Sequence, residues 1–179
     1  MKTLSLLLAL IALPAAAQDW KMDAGKSQIN FAMRQMNVPT EGGFKRFATK
    51  ANFDPARPET GRIQIEVDIN SIDTGSDEGD SEVKRPAWFD AARHPKATFV
   101  STRLRKEANG SYTALGDLTV KGKTRAFAAP FSLVRQPGGG FLAQGRFPLK
   151  RSDFGIGAGD WDEVVANEAE IRIKIILLP

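Results

Sequence analysis

Residues 62–70 read RIQIEVDIN and alternate strictly between polar and apolar side chains. Because successive side chains of an extended chain point to opposite faces, Ile63, Ile65, Val67 and Ile69 fall on one face of a strand. The charged and amide side chains between them fall on the other face. This stretch therefore predicts a β-strand with one side in a core and the other side in water.

The same alternation recurs along most of the chain, at residues 29–33, 47–53, 127–133 and 169–177, and further strands are expected at 97–105, 112–120 and 141–149. Turn signals at Asn109-Gly110, at Lys121-Gly122-Lys123 and at 137–140 separate several of these runs. We predict an all-β fold, an eight-stranded antiparallel β-barrel whose strands follow one another as a meander. Alternation fits both a packed interior and one that holds a small ligand.

One segment, residues 73–95, breaks the β pattern and predicts a short helical excursion between two strands. Ser76, Asp77 and Asp80 are candidates for its N-cap, and Pro86 suits the first turn of a short helix. Trp88 and Phe89 are too apolar for an exposed excursion, so they are expected to fold inward over one end of the barrel. A core plug and a ligand lid both explain this aromatic pair.

The first residues have the pattern of a secretory signal peptide: Lys2, an apolar run at 4–13, Pro14 and three alanines at 15–17. We predict a signal peptide over 1–17 and a single barrel domain over 18–179. The absence of cysteine excludes disulfides and thiol chemistry, and a single histidine argues against a transition-metal site. An exported protein without disulfides suits a bacterial periplasm, which is the predicted location.

Charge indicates little about partners. The formal net charge is +4, and basic and acidic side chains are interspersed, so no nucleic-acid partner is expected. A transient attraction to an anionic membrane surface is compatible with this balance. The sequence leaves open whether the protein is a monomer or a homodimer.

His94 is the only histidine, and the nearby Asp90 invites an acid–base interpretation. His94 also stands directly before Pro95, where helices end, and we expect it to cap a helix C-terminus. Residues 151–153, Arg-Ser-Asp, are expected to fix a turn through local hydrogen bonds to the backbone. We therefore predict no catalytic residue and no enzyme; the alternative is a lipid hydrolase or isomerase that uses His94, Asp90 and residues 151–153.

Short motifs in a fixed order extend from Trp20 to about Ile175. They are Trp20 with Asp23 and residues 27–31, Gly43-Phe44, Phe53-Asp54-Pro55, residues 68–74, Asp80, residues 88–91, His94-Pro95, Ala97-Thr98-Phe99, Ser101-Thr102, residues 116–122 and residues 151–156. In this order and spacing the chain resembles the YceI-like family of exported lipid-binding proteins. It departs from the family pattern at Glu82-Val83, where His-Leu is frequent, and at Trp88, where phenylalanine is common.

The resemblance implies a lipocalin-like barrel whose interior holds a long-chain amphiphile, a polyisoprenoid or fatty-acid derivative, with no catalytic residue, cofactor or metal. The implied function is periplasmic binding, storage or transport of that lipid. Besides the enzyme named above, a ligand-free interaction module of the envelope with a filled core is a further alternative. From the strand faces, the residues expected to contact the ligand are Phe31, Met33, Phe53, Ile65, Val67, Phe99, Phe127, Phe131 and Phe147, with Trp88, Phe89, Phe154 and Trp161 toward the mouth.

Overall fold

The computed structural model describes residues 17–179. The predicted signal peptide lies outside the described residues, apart from Ala17, and stays a prediction. No helix in the described part of the chain is long and apolar enough to cross a membrane.

The described chain folds into strands with three short helical segments. In chain order these are β1 (Gln18–Met22), β2 (Gln28–Gln35), β3 (Val38–Phe44), β4 (Phe47–Asp54), β5 (Arg57–Asp68), a 3-10 turn (Ile69–Ser71), β6 (Ile72–Asp73), α1 (Asp77–Val83), β7 (Lys96–Lys106), β8 (Tyr112–Val120), β9 (Lys123–Arg135), β10 (Phe141–Lys150), a second 3-10 turn (Arg151–Phe154) and β11 (Glu168–Leu178).

Eight strands form a closed antiparallel barrel in the order β1-β4-β5-β7-β8-β9-β10-β11. The ring closes where β1 pairs with β11, Lys21 opposite Leu178 and Met22 opposite Leu177. The predicted eight-stranded antiparallel barrel is thereby confirmed. Further along β11, residues 170–174 pair with β2, which carries β3 and then β6 on its outer edge.

The strand order is not the predicted meander, because β1 lies between β4 and β11 and takes the ring position expected for β2. Sequence reasoning missed β1, β3 and β6. β3 shows no alternation, since Gly42 and Gly43 stand where it pairs with Phe31 and Asn30 of β2. A side chain at Gly42 would collide with the Phe31 ring, so the strand needs glycine there. The β2–β3 turn is also unusual, because Met36 and Asn37 both take positive φ without glycine (48° and 64°).

The predicted turns form as expected. Lys121 and Gly122, with φ of 48° and 70°, make a two-residue hairpin between Val120 and Lys123. Gly110 turns the chain from β7 to β8 with φ 84°, and two glycines in 137–140 connect β9 to β10. At these positions the glycine-containing sequences therefore predicted the turns correctly.

The helical excursion is confirmed, with two corrections. Helix α1 starts after Ser76, whose hydroxyl accepts a hydrogen bond from the Gly79 amide at 3.1 Å. Pro86 follows the helix instead of starting one, because the Ser76 cap and an acidic first turn begin it earlier. His94 does not cap a helix C-terminus: α1 ends at Val83, and the His94 amide bonds the Asp90 carbonyl in a separate turn.

Candidate functional site: an apolar cavity inside the barrel

The lower end of the barrel, where β1 closes the ring, is filled by a plug of aromatic side chains. Trp20 packs edge-on against Phe141 with ring centroids 4.9 Å apart, and its indole Nε1 donates to the Phe53 carbonyl at 3.0 Å. Tyr112 stacks on Phe131 beside them. This end is therefore closed by packed side chains.

Above the plug lies a cavity of about 220 Å³. Its wall consists of apolar side chains from the barrel strands, from β2, β3, β6 and α1, and from the segments that follow α1 and β10, and the polar exceptions are Thr49, Thr98 and Arg151. Several of the wall residues are only half-buried although they point into the barrel; they are Ile65, Val67, Phe127 and Phe147. We interpret their remaining exposure as contact with the cavity, so the interior is not a filled core.

The structure brings most of the predicted ligand-contact residues together in this wall. They are Phe31, Met33, Ile65, Val67, Trp88, Phe89, Phe99, Phe127, Phe131 and Phe147. Ligand contact by these residues stays a prediction.

Three predicted residues lie elsewhere. Phe53 belongs to the lower plug with Trp20, below the cavity. Phe154 and Trp161 pack behind Trp88 at the upper end, and Trp161 meets the Trp88 ring at a centroid distance of 5.3 Å. Phe53 points inward as alternation predicted, but its level along the barrel and the positions of the other two residues depend on contacts between distant segments, which alternation does not reveal.

Several wall residues were missed. Phe44 ends the unrecognised strand β3, and Val83 lies on α1. Ile171, Ile173 and Ile175 alternate along β11 in a pattern that was visible in the sequence. The predicted ligand contacts included aliphatic residues of β2 and β5 but passed over these isoleucines, although their spacing was a sufficient signal.

Two loops cover the upper end of the cavity, residues 84–95 and residues 151–167. The Gly157 amide donates to the Ala87 carbonyl at 2.9 Å and so joins the two loops directly. The Lys121 ammonium adds a second link, with bonds of 3.3 Å to the Ala87 carbonyl and 2.7 Å to the Gly155 carbonyl. Burial lowers the pKa of Lys121, as expected for an ammonium held between two loops.

Arg151 organises the 151–167 loop. Its guanidinium is buried and donates to four backbone carbonyls, those of Ile156, Gly157, Val165 and Ala166, at 2.6–2.8 Å. This is the local side-chain-to-backbone role predicted for residues 151–153, here spread over the whole loop. Because these donors are engaged with carbonyls, Arg151 serves as a structural anchor.

Of the residues of the enzyme alternative, only Arg151 lines the cavity, and its donors are engaged with backbone carbonyls. Asp90 is buried, and its carboxylate pairs with Arg93 at 2.6 Å. The His94 ring lies against Gly122 in the β8–β9 hairpin. Neither side chain is part of the apolar wall, so the geometry does not place an acid–base pair at a bound lipid.

Fold and cavity together define the class: a lipocalin-like antiparallel barrel closed at one end, with an apolar chamber inside. A protein-family model for the YceI-like domain matches residues 20–177, and the chain belongs to this family. The resemblance noted from the motifs is confirmed.

Sequence relatives and a solved structure match most of the length of this chain. A UPF0312 protein of Ectopseudomonas mendocina is 30% identical over 156 residues, which cover 83% of this chain and 82% of the relative. Protein YceI of Escherichia coli O6:H1 is 28% identical over 168 residues, covering 86% and 87%. The crystal structure of Burkholderia cenocepacia BcnA is 35% identical, has a TM-score of 0.83, and the match covers 87% of this chain and 99% of BcnA.

A more distant structure shares the fold. It is a polyisoprenoid binding domain from Saccharophagus degradans implicated in plant cell wall breakdown, 16% identical with a TM-score of 0.69. The match covers 89% of this chain and 97% of that domain.

Proposed function

We propose that this protein binds a long-chain amphiphile, a polyisoprenoid or fatty-acid derivative, with the apolar tail inside the barrel. The observation that carries the proposal is the cavity wall, which is apolar apart from Thr49, Thr98 and Arg151. Burying one methylene in such a chamber is worth about 0.8 kcal/mol, so a long tail is held firmly against water. The S. degradans domain of the same fold supports a polyisoprenoid as one candidate ligand.

The cavity volume has a consequence for how such a tail enters. At about 220 Å³ the chamber is smaller than drug-sized ligand sites, which span roughly 300–1,000 Å³. A long tail must therefore push wall side chains aside or extend past the upper loops. We propose that the 84–95 loop yields during entry, since Phe89 there is half-buried and lies on the cavity wall.

We propose a carrier or reservoir in the periplasm, without a catalytic step. A bilayer buries a lipid tail as well as the barrel does, so transfer between membrane and protein is nearly balanced in free energy. Loading and release then depend on the head group and on the upper loops. Whether the protein is a monomer or a homodimer, this exchange needs only transient contact with the membrane.

Solvent extraction of the purified protein followed by mass spectrometry tests the proposal. We expect a long-chain amphiphile in the extract of the wild type. Ala129 lines the cavity and its neighbour Ala128 is exposed on the same strand, so Ala129→Leu should reduce the bound lipid and Ala128→Leu should not. An empty wild-type extract, with no tryptophan-fluorescence response to added isoprenoid or fatty amphiphiles, would overturn the proposal.

A further inference from the structure

Trp88 lines the cavity, and its indole Nε1 lies just under the wall, covered by protein atoms and without an acceptor in the described chain. Trp88 Nε1 is buried and has no hydrogen-bond partner among residues 17–179. The other indole in a buried position, that of Trp20, donates to the Phe53 carbonyl at 3.0 Å. Buried indole N–H groups usually find a partner, because leaving one unpaired loses its hydration without compensation.

The surroundings of Trp88 indicate what kind of partner would suit it. Trp88 is 4% exposed and lies in the cavity wall, and the far edge of its ring, Cζ3 and Cη2, faces Gly157. An indole is a donor only, so the missing partner must be an acceptor.

The electrostatic surroundings favour an electron-rich acceptor. The Arg151 guanidinium lies 5.7 Å from the Trp88 ring centroid. Its nearest acid is Asp162, at 3.6 Å, with a side chain that is 63% exposed to solvent. The four carbonyls bonded to the guanidinium carry no net charge, and water screens this carboxylate, so a net positive charge remains near Trp88.

We propose that, when the 84–95 loop yields to a ligand, Trp88 Nε1 donates a hydrogen bond to an oxygen of the ligand's head group and so sets the direction of the bound lipid. The polar end then lies under the upper loops, and the tail points toward the aromatic plug at the lower end. The ligand class is an apolar chain that ends in an oxygen acceptor, a carboxylate, carbonyl or hydroxyl, as distinct from a plain hydrocarbon. This inference rests on the proposed lipid binding.

Thr49 is the alternative partner for the head group, and it would give the bound lipid a different direction. Its hydroxyl is the other buried side-chain polar atom without a partner in the described chain, and the residue lines the cavity from β4, opposite Ile65. A head group held by Thr49 would lie within the strand-lined part of the chamber, away from the upper loops. Because the positive charge of Arg151 lies near Trp88, we favour Trp88 over Thr49 as the partner of the head-group oxygen.

The test uses delipidated full-length mature protein labelled with ¹⁵N, titrated with palmitate, geranylgeraniol or hexadecane. The three tryptophans give three indole resonances, and the loss of one in Trp88→Phe assigns Trp88. We expect its proton to move downfield with palmitate and geranylgeraniol and to stay nearly in place with hexadecane. The Trp20 resonance, already hydrogen-bonded, serves as the internal reference.

Affinities give a second readout. Trp88→Phe keeps an aromatic ring but removes the donor, and we expect it to weaken palmitate and geranylgeraniol binding about three- to tenfold while hexadecane binding is unchanged. Trp161→Phe removes the neighbouring indole N–H, which is not part of the cavity wall, and should leave all three affinities unchanged.

The results distinguish an error in the proposed direction of the lipid from an error in the proposed lipid binding. If all three probes shift the Trp88 resonance equally, or if Thr49→Val weakens the oxygen-headed probes and Trp88→Phe does not, the proposed direction is wrong. If no probe binds at all, the proposed function itself fails. Should Trp88→Phe not fold, the resonances of Trp20→Phe and Trp161→Phe assign Trp88 by elimination, and its shift in the wild type decides.

Discussion

Arg151 shows how a single residue can hold a loop that has almost no regular structure. Replacing it with methionine leaves four backbone carbonyls, three of them in buried bonds, without their donor, and we expect the free energy of unfolding to fall by about 3–5 kcal/mol. Urea denaturation measures the loss. Arg146→Met is the matched control, because Arg146 is 67% exposed and 3.7 Å from Glu170, and it should cost less than about 1 kcal/mol. Equal losses in both variants would contradict the anchoring role.

At the end of β5, Asp68 couples stability to pH. Desolvation raises the pKa of its carboxyl, but hydrogen bonds from Arg46 and from the Asn70 amide outweigh that effect, and the pKa is lowered. A lowered folded-state pKa stabilises the protein above the unfolded pKa, and this contribution is lost as pH falls through the folded value.

We therefore expect Asp68→Asn to be less stable than the wild type by about 1 kcal/mol at pH 7, with the difference disappearing as the pH falls through the lowered pKa of Asp68. Urea denaturation over a pH series measures it. The difference should shrink in an Arg46→Met background, since Arg46 supplies two of the bonds. A difference between Asp68→Asn and wild type that is independent of pH would contradict the expectation.

At the scale of elements, we expect the 84–95 loop to have two roles: Trp88 stabilises the fold, and Phe89 controls lipid release. Trp88 is buried in the upper cluster, so Trp88→Ala should cost about 3–5 kcal/mol of stability in the lipid-free protein. Phe89 is half-buried and meets Phe44 only at its edge, with ring centroids 6.4 Å apart. Phe89→Ala should therefore cost about 1 kcal/mol and mainly speed lipid release.

Thermal unfolding of the lipid-free variants and the rate of palmitate transfer to acceptor vesicles distinguish the two roles. Phe47→Ala is the control, because Phe47 is also half-buried but is not part of the cavity wall. If Phe89→Ala releases lipid at the wild-type rate, the gate lies elsewhere among the upper loops.

For the whole molecule, closure of the ring depends on β1, one of the shortest strands. It pairs with β4 on one side and with β11 on the other, and it delivers Trp20 to the lower plug. Without Gln18–Met22 the edges of β4 and β11 become free to pair with other chains. We expect this deletion to remove at least about 3 kcal/mol of stability and to cause association, seen by urea denaturation and gel filtration. Gln18→Ala, at an exposed position, should behave like the wild type.

The sequence alone determined the strands with strict alternation, the glycine-containing turns and part of the apolar wall. These features depend on local rules: side chains alternate along a strand, and positive φ favours glycine. The ordered motifs added the family. Helix α1 was expected for the same local reason, with Ser76 among its N-cap candidates, although Pro86 follows the helix instead of starting it.

Only the tertiary structure decided which strand closes the ring, where Phe53, Phe154 and Trp161 lie, and which polar groups in the wall lack a partner. Each depends on contacts between segments far apart in the chain, as between Trp20 and Phe53 or between Lys121 and Gly155. β3 was invisible for the same reason, because its glycines are required by Phe31 and Asn30 of the neighbouring strand. Periodicity records which way a side chain points along its own strand, but not which residue of another strand it meets.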